Sequence, residues 1–160
     1  MERVNKILEN KTYRSYLREI EECERTRVFC RHNMAHFLDV ARIAQLLNLE
    51  EAVGLSKEMI YAAALLHDIG RHLQYREGTP HEQASALLAP QILKECGFTE
   101  SESAEILEAI RQHRNAGIRE ERNLSGLIYR ADKLSRSCFA CPAEPQCDWK
   151  NEKKNWRIIL

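Results

Sequence analysis

The sequence has few helix-breaking residues and no long apolar segment. Its 160 residues include only six glycines and four prolines, so long stretches contain neither. The longest apolar stretch, around residues 60–66, is far shorter than the roughly 20 residues that span a bilayer. No apolar segment of the kind an export signal requires follows residues 1–6. We therefore expect a cytoplasmic protein and neither a membrane protein nor a secreted one.

Charge of one sign is not in excess either, because 24 Lys and Arg side chains balance 24 Asp and Glu side chains. Nucleic-acid binding through a broad basic face scales with the number of phosphates neutralised, so we expect no such face. The length fits a single domain with one core. What the chain does have is six His and six Cys, an unusual stock of metal-binding side chains for a small cytosolic domain.

Apolar residues recur at helical spacing over most of the chain, and no segment alternates apolar and polar residues as a strand would. One stripe that is expected to face the core consists of His36, Val40, Ile43 and Leu47. Helices are predicted near residues 2–24, 30–48, 56–68, 81–96, 101–114 and 123–136. We predict an all-α fold, with a single helical bundle over residues 1–136. An irregular Cys-rich tail over residues 137–160 is expected to pack on this bundle.

Two segments carry the Thr-x-x-Glu pattern of an N-terminal capping box. Thr79 with Glu82 predicts the start of one helix, and Thr99 with Glu102 predicts the start of the next. Pro90 lies inside the first of these helices and predicts a kink or a division there.

Four residues in three predicted helices suggest a metal site. His67 and Asp68 end the most apolar helix, where both side chains can reach one point. His36 belongs to the core-facing stripe, and Asp132 lies on an otherwise apolar helical face. Burying an Asp is costly unless it is paired or binds a metal. Imidazole and carboxylate groups converging from three helices form the mixed site that suits Fe, Mn, Co, Ni or Zn.

These residues and their flanks carry a resemblance to a known family. The segments 36–41 (His-Phe-Leu-Asp-Val-Ala), 67–71 (His-Asp-Ile-Gly-Arg) and 131–134 (Ala-Asp-Lys-Leu) resemble the His…His-Asp…Asp signature of HD-domain metal-dependent phosphohydrolases. The resemblance covers residues 28–136. It implies a helical bundle of the HD type in which one metal is held by His36, His67, Asp68 and Asp132.

Two further histidines resemble an extended version of this signature. The HD-GYP and diadenosine-tetraphosphate hydrolase branches bind two metals and place two extra His before the final Asp. His81 and His113 match in order and context, which implies a second metal with Asp68 bridging the pair. The Gly-Tyr-Pro sequence of the HD-GYP branch is absent, which counts against a cyclic-dinucleotide substrate.

The resemblance implies hydrolysis of a nucleotide or another small phosphate ester or anhydride by a metal-activated water, with one or two divalent ions as cofactor. Asp68 would be catalytic, and Arg71 and Lys133 are candidates to bind phosphate. Their alternative role is to complement helix C-termini. Two other functions remain open at this point: a two-iron HD-fold oxygenase with the same ligands, and a non-catalytic binding module braced by metal. The oligomeric state is left open.

The two remaining histidines have weaker signals. His32 lies one helical turn before His36, so it is either an alternative ligand or a residue that supports a ligand. His72 is expected on the rim of the pocket or at the surface.

The cysteines suggest a second site in the tail. Cys138, Cys141 and Cys147 have a C-x2-C-x5-C spacing that lets thiolates bind one metal from a tight turn. Cys30 is the best candidate for a fourth ligand, followed by Cys23, and His32 would give a Cys3His set. Either zinc or an iron–sulfur cluster fits this spacing, and unligated reduced thiols are the alternative. Cys96 is interpreted as ordinary packing, and Trp149 and Trp156 are expected to pack the tail against the core.

Overall fold

The computed structural model describes residues 1–159, and over these residues it is all-helical, as predicted, without a strand. Eight α-helices follow one another along the chain: α1 (Glu2–Glu9), α2 (Lys11–Cys23), α3 (Met34–Glu50), α4 (Lys57–Leu66), α5 (Arg71–Glu77), α6 (His81–Glu95), α7 (Glu100–Gln112) and α8 (Leu124–Leu134). One short 3₁₀ turn lies between α7 and α8 at Ala116–Ile118, and three follow α8 at Cys138–Ala140, Glu144–Gln146 and Asn151–Lys153. In the described part of the chain, none of the helices has the length and apolar character needed to cross a bilayer.

Helix α4 is the centre of the bundle. Seven of its ten residues are buried, and α1, α3, α6, α7 and α8 all pack on it. Apolar residues on nearly every face explain this position, because a helix without a polar face must be covered on all sides. The C-terminal end of α4 is therefore held inside the bundle, which determines where the following residues lie.

The long first helix that the sequence predicted is divided at Asn10. The Asn10 side chain accepts a hydrogen bond from the Tyr13 backbone N–H at 3.0 Å, as an N-cap residue does, and begins α2. Helix α3 likewise begins at Met34 and not at residue 30, because Asn33 accepts from the His36 N–H at 3.1 Å. In both places a local side-chain cap decides the boundary.

The two predicted capping boxes have different outcomes. The box at Thr99 and Glu102 is confirmed, with both reciprocal hydrogen bonds present. The box at Thr79 is wrong: Pro80 occupies the N-cap position, and no side-chain capping bond forms there. The Gln74 side chain instead accepts from the His81 N–H at 3.3 Å. Helix α6 continues through Pro90 without being divided.

Helix α5 is absent from the sequence prediction, although Gly78 signals its end. Gly78 has a φ of 78°, the left-handed conformation that ends many helices. The helix also corrects the expectation for His72, which is 3% exposed and therefore not at the surface. Its ring stacks on Tyr16 with centroids 5.3 Å apart, and its Nδ1 hydrogen-bonds to the Ile69 carbonyl at 3.0 Å.

The tail is made of 3₁₀ turns and irregular backbone, with little apolar burial. Asn155 fastens it to the bundle by donating to the carbonyls of Lys133, Leu134 and Arg136 at 2.9–3.2 Å. The two tryptophans pack against the core less than the sequence suggested, since Trp149 is 45% exposed and Trp156 is 50% exposed. Cys96 is buried in the core, as expected.

Candidate metal centre

The turn after α4 places His67 and Asp68 inside the bundle, and it is fixed by close packing against α6. The Gly70 N–H donates to the Ser85 hydroxyl at 2.9 Å. A Cβ at Gly70 would lie 2.4 Å from the Ser85 nitrogen and 2.6 Å from the Ala84 Cβ. Only glycine fits this contact, so it sets the distance between the Asp68 turn and the first residue of α6.

The first group of donor atoms comes from three elements and consists of His36, His67 and Asp132. Their ligand atoms all lie within 4.8 Å of one another. The Nε2 atoms of His36 and His67 are 3.6 Å and 4.0 Å from Asp132 Oδ1. His67 is fully buried, whereas His36 and Asp132 border a cavity.

The second group consists of Asp68, His81 and His113, which are all buried. Asp68 Oδ1 lies 3.1 Å from the Nε2 of His81 and 3.7 Å from the Nε2 of His113. The two Nε2 atoms are 3.1 Å apart. Helix α6 begins at His81 and α7 ends just before His113, so two helix ends supply these imidazoles.

Asp68 joins the two groups through its two carboxylate oxygens. Its Oδ1 faces His81 and His113, as described above. Its Oδ2 lies 3.3 Å from the Nε2 of His67 and 3.7 Å from that of His36. A carboxylate in this position has the arrangement that a bridge between two cations requires.

Each histidine of the centre is oriented by a hydrogen bond to its other ring nitrogen. The Nδ1–H groups of His67 and His113 donate to the carbonyls of Ala64 and Ile110, both at 2.7 Å. His81 Nδ1 pairs with the Gln74 side-chain oxygen, and His36 Nδ1 lies 3.3 Å from the Ser135 hydroxyl. With Nδ1–H engaged, the neutral ring turns a bare Nε2 lone pair inward, as metal-binding histidines do.

Burial keeps most of these rings neutral. It lowers the pKa of His81 to about 2 and the pKa of His113 to about 4, and it also lowers the pKa of His36. His67 differs: burial opposes its charged form, but the adjacent Asp68 carboxylate raises its pKa.

The two carboxylates are held in the ionised form. Burial alone would raise their pKa values. The charges of His67 and Arg71 instead hold the pKa of Asp68 well below its usual range, and Lys133 and His67 do the same for Asp132. The centre therefore combines three imidazoles that burial keeps neutral, those of His36, His81 and His113, with two anionic carboxylates, which are donors that suit a divalent transition metal.

The donor atoms fit a cation because they do not satisfy one another. The Nε2 atoms of His36 and His67 are buried without a hydrogen-bond partner in the described chain. The bare Nε2 atoms of His81 and His113 face each other and an Asp68 oxygen, so three acceptors meet without a proton between them. Such a cluster is costly to bury, and a bound cation removes that cost.

Two predicted phosphate-binding residues lie beside the centre. Arg71 Nε is 3.3 Å from Asp68 Oδ1, and the Lys133 ammonium contacts Asp132 Oδ2. Both also line a cavity of about 560 Å³ next to the centre. Their side chains therefore contact the carboxylates of the centre and also border the cavity.

A fifth histidine lies beside the centre, and the residues that hold it there were not identified from the sequence. His32 Nε2 is 3.7 Å from Asp68 Oδ2, and its Nδ1 pairs with the buried carboxylate of Glu24. Glu24 also accepts from the His32 N–H at 2.7 Å and from the Tyr75 hydroxyl at 2.6 Å. Burial would raise the pKa of Glu24, but the contact with His32 lowers it to about 2. Nothing near Glu24 in the sequence signals this burial, which depends on a partner 51 residues away.

The four cysteines of the predicted second site lie around the same cavity. Cys30, Cys138, Cys141 and Cys147 all line it, whereas Cys23 does not. Within residues 1–159, no three of their sulfur atoms lie within 4.8 Å of one another, so the compact sulfur set of a mononuclear site is not present.

The fold and the site together define a class: helical proteins with a buried His and Asp metal centre between the helices. The family model described as "HD domain" matches residues 33–137, which is more than half of the chain, so the chain belongs to the HD-domain family. Membership of this family indicates a superfamily of metal-dependent hydrolases, and the buried His and Asp cluster supports a divalent-metal site.

A full-length relative is also known. An uncharacterized protein of Clostridium beijerinckii is 48% identical over 158 residues, covering 99% of each chain. No solved structure was found to match this chain.

Proposed function

We propose that the protein is a metal-dependent phosphohydrolase that acts on a nucleotide or another small phosphate ester or anhydride. One observation carries the proposal: both oxygens of Asp68 face imidazole Nε2 atoms, Oδ1 those of His81 and His113, and Oδ2 those of His36 and His67 with His32 beside them. His36, His67 and Asp132 would hold one ion, His81 and His113 would hold a second, and Asp68 would bridge them. When bound, such a pair supplies a water with a lowered pKa and neutralises phosphate charge.

The charge of the adjacent cavity supports an anionic substrate. Seven cationic side chains line it, against three acidic ones. The cationic residues are Arg27, Arg31, Arg71, Arg114, Lys133, Arg136 and Lys154. A cavity of this charge favours an anionic substrate such as a phosphorylated molecule.

Arg71 is proposed to bind a phosphate oxygen of the substrate. Only the Nε of Arg71 contacts Asp68. Its two terminal amino groups make no hydrogen bond within the described chain. Those groups can donate two parallel hydrogen bonds to one phosphate. Lys133 would add a point charge near Asp132 and would hold the α7 end by donating to the His113 carbonyl at 3.4 Å.

The test is phosphate release by protein loaded with Mn²⁺ or, without oxygen, with Fe²⁺. The substrates are nucleoside mono-, di- and triphosphates, dinucleoside polyphosphates and a simple aryl phosphate. We expect turnover of at least one class, and Asp68→Asn should abolish it. Asp148→Asn, an exposed carboxylate outside the cavity, is the matched control and should keep full activity. Substrate-dependent oxygen uptake without phosphate release would replace the proposal with the oxygenase alternative.

Arg71 provides a narrower test of substrate charge. Arg71→Met should raise KM by about 10-fold to 100-fold, the value of one charge-assisted hydrogen bond. Arg71→Lys should recover only part of this loss, because an ammonium does not bind phosphate in the bidentate way. An unchanged KM in Arg71→Met would show that Arg71 only positions Asp68 and does not bind the substrate.

A further inference from the structure

Four cysteines from two distant parts of the chain border one cavity. Cys30 precedes α3, whereas Cys138, Cys141 and Cys147 belong to the tail. Cys23 and Cys96 lie outside this cavity, so the structure separates the six cysteines into a group of four and two others.

Successive 3₁₀ turns present the three tail cysteines. The Cys141 N–H donates to the Cys138 carbonyl at 3.2 Å, and the Cys147 N–H donates to the Glu144 carbonyl at 3.0 Å. Each turn therefore ends at a cysteine. Tight turns that end in thiols are typical of segments that ligate metal or cluster atoms.

The tail has too little apolar burial to hold this arrangement by itself. Between residues 137 and 159 only Ala143 is buried. A segment of this kind needs a cross-link or a bound ligand to become stable, because hydrophobic burial does not offset its loss of conformational entropy. The four cysteines are placed where such a cross-link would join the tail to the segment before α3.

Cationic side chains line the same cavity as the four thiols. Arg27, Arg31, Arg136 and Lys154 line the same cavity, and the Arg27 Nε–H donates to the Cys30 carbonyl at 2.8 Å. The Lys154 side chain is only 6% exposed and pairs with Glu144 at 2.8 Å. Four thiolates bring four negative charges, and nearby cations stabilise the net negative charge that a ligated centre retains.

The sulfur atoms are less closely grouped than a single tetrahedral zinc requires, which favours an iron–sulfur cluster. A tetrahedral zinc with Zn–S bonds of about 2.3 Å would bring all four sulfurs to about 3.8 Å from one another. No three of these sulfurs lie within 4.8 Å of one another in the described chain. An iron–sulfur cluster distributes its thiolates over several iron atoms and so accepts a wider set.

We propose that Cys30, Cys138, Cys141 and Cys147 hold an iron–sulfur cluster that joins the tail to the bundle and forms one wall of the cavity over the His and Asp centre. The cluster ligands are separate from the metal ligands of the proposed hydrolase, because no thiol belongs to the His and Asp donor set.

The test counts iron and acid-labile sulfide in the full chain, purified without oxygen and reconstituted with Fe²⁺ and sulfide. We expect two or four sulfides per chain, with broad visible absorption that bleaches on reduction. Cys30→Ser and Cys141→Ser should each reduce the sulfide to less than half. Cys23→Ser is the matched control and should leave the sulfide unchanged.

Sulfide also separates this site from the His and Asp centre, which contains none. Asp132→Ala should lower the iron content but not the sulfide. The proposal is overturned by one zinc per chain that withstands iron reconstitution, by iron without sulfide, or by full sulfide in Cys30→Ser. Circular dichroism of Cys30→Ser should retain the helical signal, because the residue is exposed and lies outside every helix.

Discussion

The helical bundle and the tail face the same cavity, but different forces hold them together. In the bundle, α4 is covered on all sides by apolar contacts, and backbone carbonyls fix the rings of His67 and His113. In the tail, hydrogen bonds from Asn155 and the Lys154–Glu144 pair take the place of a core. The histidines are therefore positioned by the fold, whereas the thiols depend on the contacts of a loosely packed segment.

This difference predicts how each region responds to the loss of its ligand. The bundle buries enough apolar surface to stay folded without metal, because its core includes residues from α1, α3, α4, α6, α7 and α8. The tail has one buried residue and should open when its ligand is removed.

Shortening a core side chain should cost far more than shortening one in the tail. Leu65 in α4 is 0% exposed, so Leu65→Ala should lower the free energy of unfolding by about 2–5 kcal/mol. Phe139 is 49% exposed, and Phe139→Ala should change it by less than about 1 kcal/mol. Urea denaturation followed by circular dichroism measures both. Equal losses would show that the tail shares the core.

The Gly70 contact offers a test within the bundle. Gly70→Ala forces a Cβ against the Ser85 nitrogen at 2.4 Å, so α6 must move away from the Asp68 turn. We expect a loss of about 1–3 kcal/mol in the free energy of unfolding, together with reduced metal content, because His81 moves with α6. Thermal denaturation and elemental analysis check the two effects.

Gly117→Ala is the matched control for Gly70→Ala. A Cβ at Gly117 would meet only the flexible Asn115 side chain, at 3.1 Å. This variant should retain its metal and nearly all of its stability. If Gly70→Ala behaved in the same way, the α6 contact would not position the centre.

Much of the bundle could be predicted from the sequence because its signals are local. Helical periodicity and the scarcity of Gly and Pro gave the fold class, and the Thr99 box gave a helix start. The ordered His and Asp motifs selected six residues that the structure brings together. The helix and capping signals lie within a few residues of the features that they predict, whereas the six residues of the centre were identified through their resemblance to a family signature that extends along the chain.

The remaining features depend on contacts between distant residues. Thr79 matched a capping box, but the Gln74 side chain binds the His81 N–H instead. Glu24 belongs to a segment that looks like exposed surface, and its burial needs His32 and Tyr75. The sequence suggested the pocket rim or the surface for His72, because it gave no sign of α5, which packs against α2 near Tyr16. Which side chain binds a given backbone N–H, and which polar residues become buried, depends on the packing of distant residues.

Asn155 should hold the tail without supporting the bundle. Its side-chain N–H₂ group donates to terminal carbonyls of α8, which have no partner within the helix. Asn155→Ala should cost about 1 kcal/mol and make residues 137–159 accessible to limited proteolysis. Asn155→Asp should have a larger effect, because a carboxylate would face three carbonyl oxygens. Unchanged proteolysis in both variants would contradict this role.

The smallest effects are expected from matched ion pairs in the two regions. Arg3 in α1 contacts Glu58 at 2.7 Å and Glu102 at 2.7 Å, and its guanidinium lies 4.3 Å from the centre of the Phe98 ring. Arg3→Met should lower the free energy of unfolding at pH 6 by about 1 kcal/mol, since the pairs are only partly buried. Lys154→Met removes the tail pair with Glu144 and should change the bundle by less than about 0.5 kcal/mol.

The stability that the Arg3–Glu102 pair contributes should depend on pH. The Arg3 guanidinium lowers the pKa of Glu102 from 4.5 to about 2. The stability from this pair is therefore fully present above pH 4.5 and is lost as the pH falls toward 2. The difference between the wild-type protein and Arg3→Met should shrink from pH 6 to pH 3 in urea denaturation. Lys154→Met should instead be recognised by amide hydrogen exchange, which should be faster in residues 138–156 than in the wild-type protein. A constant Arg3→Met difference across this pH range would show that the Arg3 contribution comes from its packing on Phe98 and not from its charge.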